Sequence, residues 1–313
     1  MISRLESVQE RLLDADFILD LTRKHETTFT WLLSKGLIQD KLICPKCNKY
    51  DVKIETDKSK ADLKRFRCPD RQCRKAISIR MGSIFESSKL TLMEYTRLAF
   101  HYFVKNISRS NVVKELSIDK NTVSDVYAHL REIISVSIKG EELSYKLGDV
   151  IEDPNDINLG VEVDESLFSH LDGNQVWVFG LYDRKTGEAR AFVVENRTAD
   201  SLIPIIVDHV VPGARIYTDG WLAYSSLSSH GFDHRVVNHS VGFGLGFFTT
   251  NHIESLWSEL KYLTKHSQGN VVGSGEDKKM GIQHHIDVGI WRRNNKGKDL
   301  IEELIHLINL TYA

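Results

Sequence analysis

Apolar positions along this chain follow two different rhythms, helical up to about residue 139 and alternating from residue 159 onward. Residues 5–39 space Leu12, Phe17, Ile18, Leu21, Trp31, Leu32 and Leu33 so as to predict two short helices. Residues 86–139 predict a helical module, in which TLMEYTRLAFHYFV forms a long apolar-faced helix. A short helix capped by Ser108 or Ser110 then ends at Leu116, an SIDK turn follows, and a longer helix starts at Asn121 or Thr122. That outline is helix-turn-helix-like, and its second helix would carry Lys120, Asn121, Ser124 and Tyr127 toward a DNA major groove; the same periodicity also suits plain core packing. The polar, acidic stretch 140–158 predicts a linker.

Beyond it, Leu159 to Phe168 alternates as a strand with Asp164 past its midpoint. QVWVFGLYDR and EARAFVVEN flank a KTGE turn and predict a hairpin that extends the first strand into an antiparallel trio. TADSLIPIIVDHV predicts an amphipathic helix capped by Thr198, crossing to ARIYTDG, a strand that ends at Asp219 before Gly220. RVVNHS predicts another strand. TTNHIESLWSELKYLTKH sets Ile253, Leu256, Trp257, Leu260 and Leu263 at helical spacing, with Thr250 or Asn251 as N-cap. The glycine- and lysine-rich run 269–279 predicts a flexible segment before two closing helices, the first ending in Arg292 and Arg293. This order defines an α/β class; a doubly wound nucleotide-binding fold competes, but no glycine-rich phosphate loop follows the first strand.

Two strands and a helix thus present Asp164, Asp219 and Glu254 to a common point. Crowded carboxylates repel one another, so their joint ionisation calls for a compensating cation. Hard oxygen donors suit Mg²⁺ or Mn²⁺, and a pair of such ions serves phosphodiester chemistry. Lys261 lies seven residues after Glu254, two helical turns along the same face, where it would meet a phosphate. Each acid also has an ordinary reading: Asp before Gly is a common turn, and Glu among helical leucines usually faces water. Alternation sets Glu162 on the face of Asp164 and Glu165 on the other, while Glu259 is turned away from Glu254.

All four cysteines fall within 30 residues, as CPKC (Cys44, Cys47) and CPDRQC (Cys68, Cys73). Two close pairs in a polar segment predict a zinc ribbon with one structural Zn²⁺ held by four thiolates, rather than a disulfide framework. Residues 41–80 carry thirteen Lys or Arg against five Asp or Glu in a chain of net charge −2. This local surplus, with Phe66 and Tyr50, makes Lys64, Arg65, Arg67 and Arg74 candidates for phosphate-backbone contact, as is the Arg292–Arg293 pair. Ordinary solvated lysines, and a helix C-terminus favouring cations, are the plainer accounts.

The stretches VEVDES, IYTDGWLAY, VNHS and TNHIESLWSELK resemble the ISXO2-like DDE transposases, the group of IS1595-type insertion sequences and Merlin transposons. The resemblance implies an RNase H-like catalytic core with Asp164, Asp219 and Glu254 as ligands of two Mg²⁺ or Mn²⁺ ions, behind an N-terminal zinc ribbon. The 34 residues between Asp219 and Glu254, and Lys261 seven after the Glu, are similar to the wider DDE pattern. The glycine-rich VGFGLGFF, residues 241–248, departs from the polar loop usual there. The resemblance further places His239 near the phosphate or a metal-bound water, with a purely structural histidine the equal alternative, and gives Asn251 and Lys261 supporting roles.

On this reading the domains are a helical segment (1–40), the ribbon (41–82), the helix-turn-helix-like module (86–148), the DDE core (159–268) and a basic, helical tail (269–313). The implied activity is cleavage at terminal inverted repeats of double-stranded DNA and strand transfer into a target, cut-and-paste fashion, by a homodimer or larger synaptic assembly. A regulatory DNA-binding protein that keeps the fold, and a nuclease without strand transfer, are the alternatives. No apolar run predicts a membrane span and no signal-peptide profile is evident; cysteines read as reduced thiolates predict an intracellular protein, nuclear if the source is eukaryotic.

Overall fold

The computed structural model describes residues 15–49, 51–103, 109–150, 156, 158–171, 174–237, 250–267 and 276–312. The chain forms two compact units, Met1–Ile133 with Gly297–Ala313, and Ile134–Lys296.

In the first unit, α1 (Ala15–Leu21) and α2 (His25–Ser34) precede a small antiparallel sheet in the order β1 (Lys53–Thr56), β2 (Lys64–Arg67), β3 (Ala76–Ser78). Phe66, fully buried, centres that sheet between Ile54 and Ile77. Helix α3 (Leu92–Phe103) opens with a reciprocal cap: the Glu94 carboxylate accepts from the Thr91 N–H at 2.7 Å and the Thr91 hydroxyl accepts from the Glu94 N–H at 3.2 Å. Helix α4 (Arg109–Leu116) is joined to α5 (Lys120–Ser144) through Ser117, at φ 55°. Asp119, rather than Asn121 or Thr122, caps α5, its Oδ1 accepting from both those N–H groups at 2.8 and 3.3 Å. A carboxylate there answers orphan donors and the helix dipole together.

The expected linker at 140–158 starts too early, because α5 continues to Ser144. The sequence KGEELS is polar, but its Lys, Glu and Leu are good helix formers, so polarity there does not end the helix. The expected tail 269–313 is divided between the units. Helix α9 (Leu300–Tyr312) belongs to the first, burying Ile301, Leu304, Ile305, Leu307 and Ile308, while Asn309 donates to the Lys35 carbonyl at 2.9 Å.

The second unit is built on a five-stranded sheet in the order β6-β5-β4-β7-β8, comprising β4 (Val161–Leu171), β5 (Asn174–Asp183), β6 (Ala189–Val194), β7 (Arg215–Asp219) and β8 (Asp233–Val237). The first three strands in sequence are antiparallel; β7 runs parallel to β4, and β8 parallel to β7. On one face Val161, Val163, Phe179, Leu181 and Ile216 pack with Leu202 and Ile206 of α6 (Ala199–His209) and with Tyr224 and Leu227. Thr198 precedes α6 as expected, but its hydroxyl donates to Asn196 at 2.6 Å and makes no cap bond to the helix. Two short 3₁₀ turns, Leu222–Tyr224 and Leu227–His230, make the connection from β7 to β8. Helix α7 (Asn251–Ser267) lies against β4 and β5, and α8 (Glu276–Asn294) against β6 and α7.

Helix α8 also closes the sheet edge. Asn294 exchanges two bonds with the backbone of Ala189, and Gln283 accepts from Val193 N–H and donates to the Ala191 carbonyl, so side chains complete β6 where no strand pairs with it. Gln283 also donates to Asp287 at 2.6 Å, and Ser135 of α5 does so at 2.5 Å. Burial pushes the Asp287 carboxyl up to about 6 from its ordinary 3.8, against the pull of those two bonds and of Lys139. The folded state therefore binds this proton more tightly than the unfolded chain, and stability from this group rises as pH falls through about 6. Asp287→Asn is expected to remove that rise. Comparing chemical denaturation of variant and wild type at pH 5 and 8 should show a relative stabilisation of the variant at pH 8 of about 1.4 kcal/mol. Equal differences at the two pH values would contradict it.

Among the described residues no helix is long and apolar enough to cross a membrane.

Candidate active site and metal centre

Strand register brings two of the three acids together. The parallel ladder between β4 and β7 pairs Val161 with Ile216 and Glu162 with Tyr217, then stops. Continued by two residues, it sets Asp164 opposite Asp219, side chains on one face. Glu254, in the first turn of α7, approaches from the helix packed on that face. The three carboxylates are near enough to repel: burial first, then the charges of Asp219 and Glu254, hold the Asp164 carboxyl above its ordinary value, against bonds from Trp257 and the Glu165 backbone.

Each acid is oriented by a donor. The Trp257 indole N–H donates to Asp164 Oδ2 at 2.7 Å, the Trp221 backbone N–H to Asp219 Oδ1 at 3.0 Å, and the Thr250 hydroxyl to Glu254 Oε1 at 3.3 Å. Thr250 also accepts the Glu254 N–H at its carbonyl, which opens the helix there. The donor set is all oxygen, the chemistry of a hard divalent cation.

What fixes α7 over the acids is a buried ionic anchor on the same strand. Glu162 is fully buried and accepts from Arg184 Nε at 2.8 Å, from the Ile253 N–H at 3.1 Å, and bonds His252 Nδ1 at 2.7 Å. The His252 ring stacks on Tyr182 with centroids 5.1 Å apart, and the Arg184 guanidinium lies 3.6 Å from the Tyr217 centroid. A carboxylate with this many partners is stable in a dry site, whereas removing any one partner leaves a charge exposed to low dielectric.

Close approach of the helix also requires Gly180, the cross-strand partner of Asp164. A Cβ there would lie 2.9 Å from Trp257 Cζ2, nearer still to Cη2, and 3.2 Å from Ile253 Cδ1. Gly180→Ala is expected to push Trp257 off the sheet and displace Asp164 and Glu254 relative to each other. Misplacement on that scale lowers turnover about a hundredfold. The check is near-UV circular dichroism of the indoles beside the melting temperature; a spectrum and melting temperature equal to wild type would show that the contact does not hold Trp257 in place.

Glu165 faces the other side of β4, as alternation requires. It accepts a short hydrogen bond from the Tyr224 hydroxyl and lies 3.7 Å from Arg197 Nη1. Burial first, then Asp164 and Asp219, hold its carboxyl above the ordinary value, against Tyr224 and Arg197. The same neighbourhood, burial first, holds the Tyr224 phenol well above its usual range.

Of the expected supporting residues, Asn251 is the exposed first residue of α7. Lys261 is exposed, its Nζ 5.6 Å from the centroid of the Phe168 ring. His239 and the run 241–248 lie outside the described residues, as does Tyr50. Glu259 turns from Glu254 and pairs with Arg293 at 2.7 Å, which also sits 5.3 Å from the Tyr182 centroid. Both Arg292 and Arg293 are half-buried in the last turn of α8.

In the first unit the four cysteine sulfurs all lie within 4.8 Å of one another. Cys44 and Cys73 Sγ are 3.7 Å apart, as are Cys47 and Cys68. Tetrahedral Zn–S bonds of about 2.3 Å put sulfurs about 3.8 Å apart, so these thiols fit one structural Zn²⁺ without rearrangement. Two tight turns shape the pairs, with Asn48 at φ 54° after Cys47 and Arg74 at φ 44° after Cys73.

The basic side chains of this unit are differently placed. Arg65 and Arg67 both pair with Glu55, at 2.5 and 2.7 Å, and Lys64 pairs with Glu26 at 3.0 Å, so much of the local surplus is engaged within the fold. Arg74 is exposed. At the start of α5, Lys120 and Asn121 are exposed and Ser124 accepts from Arg109 at 2.8 Å. Tyr127, expected near a groove, is instead buried, with 3% exposure, and its ring lies tilted against Tyr102 with centroids 4.3 Å apart, because its helical position points to the core with Val123 and Leu130.

Sequence reasoning read Trp257 only as an apolar helix position and Glu162 only as a neighbour of Asp164, and gave Gly180 and Arg197 no role. A detectable signal existed for the first: an indole among helical leucines needs a partner for its N–H.

The sheet and its three acids define a mixed α/β domain with a carboxylate-lined site. Residues 163–271, which contain all three acids, match the model of the ISXO2-like transposase domain family. Over 69 residues the chain is 35% identical to an uncharacterized transposase-like protein of Haemophilus influenzae, covering 22% of this chain and 56% of that protein. The chain thus spans about half the length of this curated relative. Two solved structures are similar at low score. One is a chain of the simian T-cell lymphotropic virus intasome in complex with PP2A regulatory subunit B56 gamma, at 14% identity over 62% of this chain and 67% of that chain, TM-score 0.31. The other is the catalytic core domain of BIV integrase, at 13% identity over 44% and 84%, TM-score 0.31.

Proposed function

We propose that this protein is a metal-dependent DNA transposase with an RNase H-like core, in which Asp164, Asp219 and Glu254 hold two Mg²⁺ or Mn²⁺ ions. The observation that carries the reading is the register of β4 and β7, which, extended two residues past its last pair, aligns Asp164 with Asp219 under the helix bearing Glu254, inside the segment that matches the transposase family. The sheet order, three antiparallel strands followed by two parallel ones added at the first, supports the RNase H-like assignment.

When bound, the ions supply Lewis acidity to the attacking and leaving oxygens. The chain's part is to hold and orient. Trp257, the Trp221 N–H and Thr250 fix the three carboxylates, and Lys261, two turns along α7, meets a phosphate oxygen. In the first step water adds to a phosphodiester phosphorus at the element's end, and the P–O3′ bond breaks to free a 3′ hydroxyl. In the second, that hydroxyl adds to a target phosphodiester and displaces a target 3′ oxygen, so each step makes and breaks one P–O bond. The ribbon, with Arg74, and the start of α5, with Lys120 and Asn121, would contact the terminal repeat. Two ends must be joined, so the working form is a dimer or larger assembly.

The test is a labelled duplex carrying the element's terminal repeat, incubated with Mg²⁺ or Mn²⁺ and unlabelled target DNA. Joined product supports a transposase. Cutting without joining makes this a nuclease, and specific binding without either a regulatory protein.

A further inference from the structure

Directly after Asp219 and Gly220 the chain exposes two large apolar side chains, Trp221 at 43% and Leu222 at 82%. Exposed apolar residues are common on surfaces, but this indole is fixed. Its N–H donates to the Arg197 carbonyl at 3.3 Å, and the Arg197 guanidinium lies 4.9 Å from its centroid and 3.9 Å from that of Trp177. The backbone N–H of the same residue holds Asp219 Oδ1. Arg197 in turn lies 3.7 Å from Glu165, on the face of β4 opposite Asp164, so the aromatic stack borders the acids at the end of β7, joined to them by the Trp221 backbone.

A rigid π face, backed by a cation and set at the shoulder of a phosphodiester-cutting site, matches a nucleobase in shape and charge. An adjacent aliphatic side chain in open solvent has the character of a wedge that separates base steps. We infer that Trp221 stacks on a base unpaired beside the scissile phosphodiester, with Leu222 inserted in the space it leaves. This rests on the transposase reading above and adds to it a residue that selects distorted DNA.

The probe is the terminal-repeat duplex, once fully paired and once with a mismatch at the base pair flanking the scissile phosphate. Trp221→Ala is expected to cut the paired end about tenfold to a hundredfold more slowly than wild type, Trp221→Phe to recover most of the rate, and the mismatch to shrink the alanine defect. In a Glu254→Ala background, 2-aminopurine at the flanking position should change fluorescence on binding, and Trp221→Ala should abolish the change while the complex still forms. Wild-type rates for Trp221→Ala overturn the inference, as does an equal loss on paired and mismatched ends, which marks a merely structural role. Loss accompanied by dissociation of the assembly in sedimentation also overturns it, by assigning the patch to a second copy. Failure of the wild type itself to cut or join is a separate result that removes the underlying reading and this inference with it.

Discussion

Glu254→Ala should abolish cleavage and joining while leaving binding to the terminal repeat nearly intact. The carboxylate sits in the first turn of α7, oriented by Thr250, and contributes to the repulsion that raises Asp164. Removing it takes a ligand from the proposed cation site and relieves that repulsion, so folding does not suffer with activity. Asp219→Ala should behave alike, since Asp219 caps its strand end and carries no buried ion pair among the described contacts. Loss of a ligand to ions that stabilise both reacting oxygens lowers the rate by at least about a thousandfold. Single-turnover cleavage, with gel-shift binding and a melting curve on the same preparation, separates the effects. Full cleavage by either variant would remove these acids from the mechanism.

Loss of zinc should have the second large effect, and it should fall on a different property. With four sulfurs at zinc spacing and three strands of three or four residues each, the ribbon has a small core centred on Phe66. So small a sheet does not bury enough apolar surface to fold alone, and zinc binding by the four sulfurs, worth about 10–16 kcal/mol in comparable peptides, would supply the difference. Burial raises the Cys68 thiol to about 12, while Cys44, despite burial, is drawn to about 7 by backbone N–H groups of Cys47 and Lys46. Without a cation the four sulfurs thus do not share their charge evenly. Metal analysis should find one zinc per chain. Chelation, or Cys47→Ser, should abolish specific end binding and expose the ribbon to protease, while residues 134–296 keep their protection. A ribbon that resists protease without zinc would contradict this.

The sequence made the sheet legible because its signals are local. Alternation from Leu159, the KTGE turn and the strand-ending Gly220 each depend on neighbours along the chain. The acid trio followed, since each acid sits at a recognisable point of a recognisable element. The anchor around Glu162 was not legible: its partners Arg184 and His252 lie 22 and 90 residues away, and an acid between two valines on a strand does not announce an ion pair. Gly180 was silent for a related reason, because its meaning lies in the indole above it, 77 positions on. Tyr127 misled because one helical period serves both a groove-facing and a core-facing side, and only packing chooses. The end of α5 was missed because composition distinguishes water-facing from buried more readily than helix from coil.

The partition of the chain has an implication for synthesis. Since α9 packs within the N-terminal unit, the whole of residues 134–296 is an insertion in that unit's sequence. On the ribosome, the acid-bearing sheet has all its residues before the ribbon-bearing unit has its final helix, so the later sequence is the first to be complete. Material truncated after Lys296 would retain every candidate cation ligand yet leave the apolar surfaces that receive Ile301, Leu304 and Ile308 open to water.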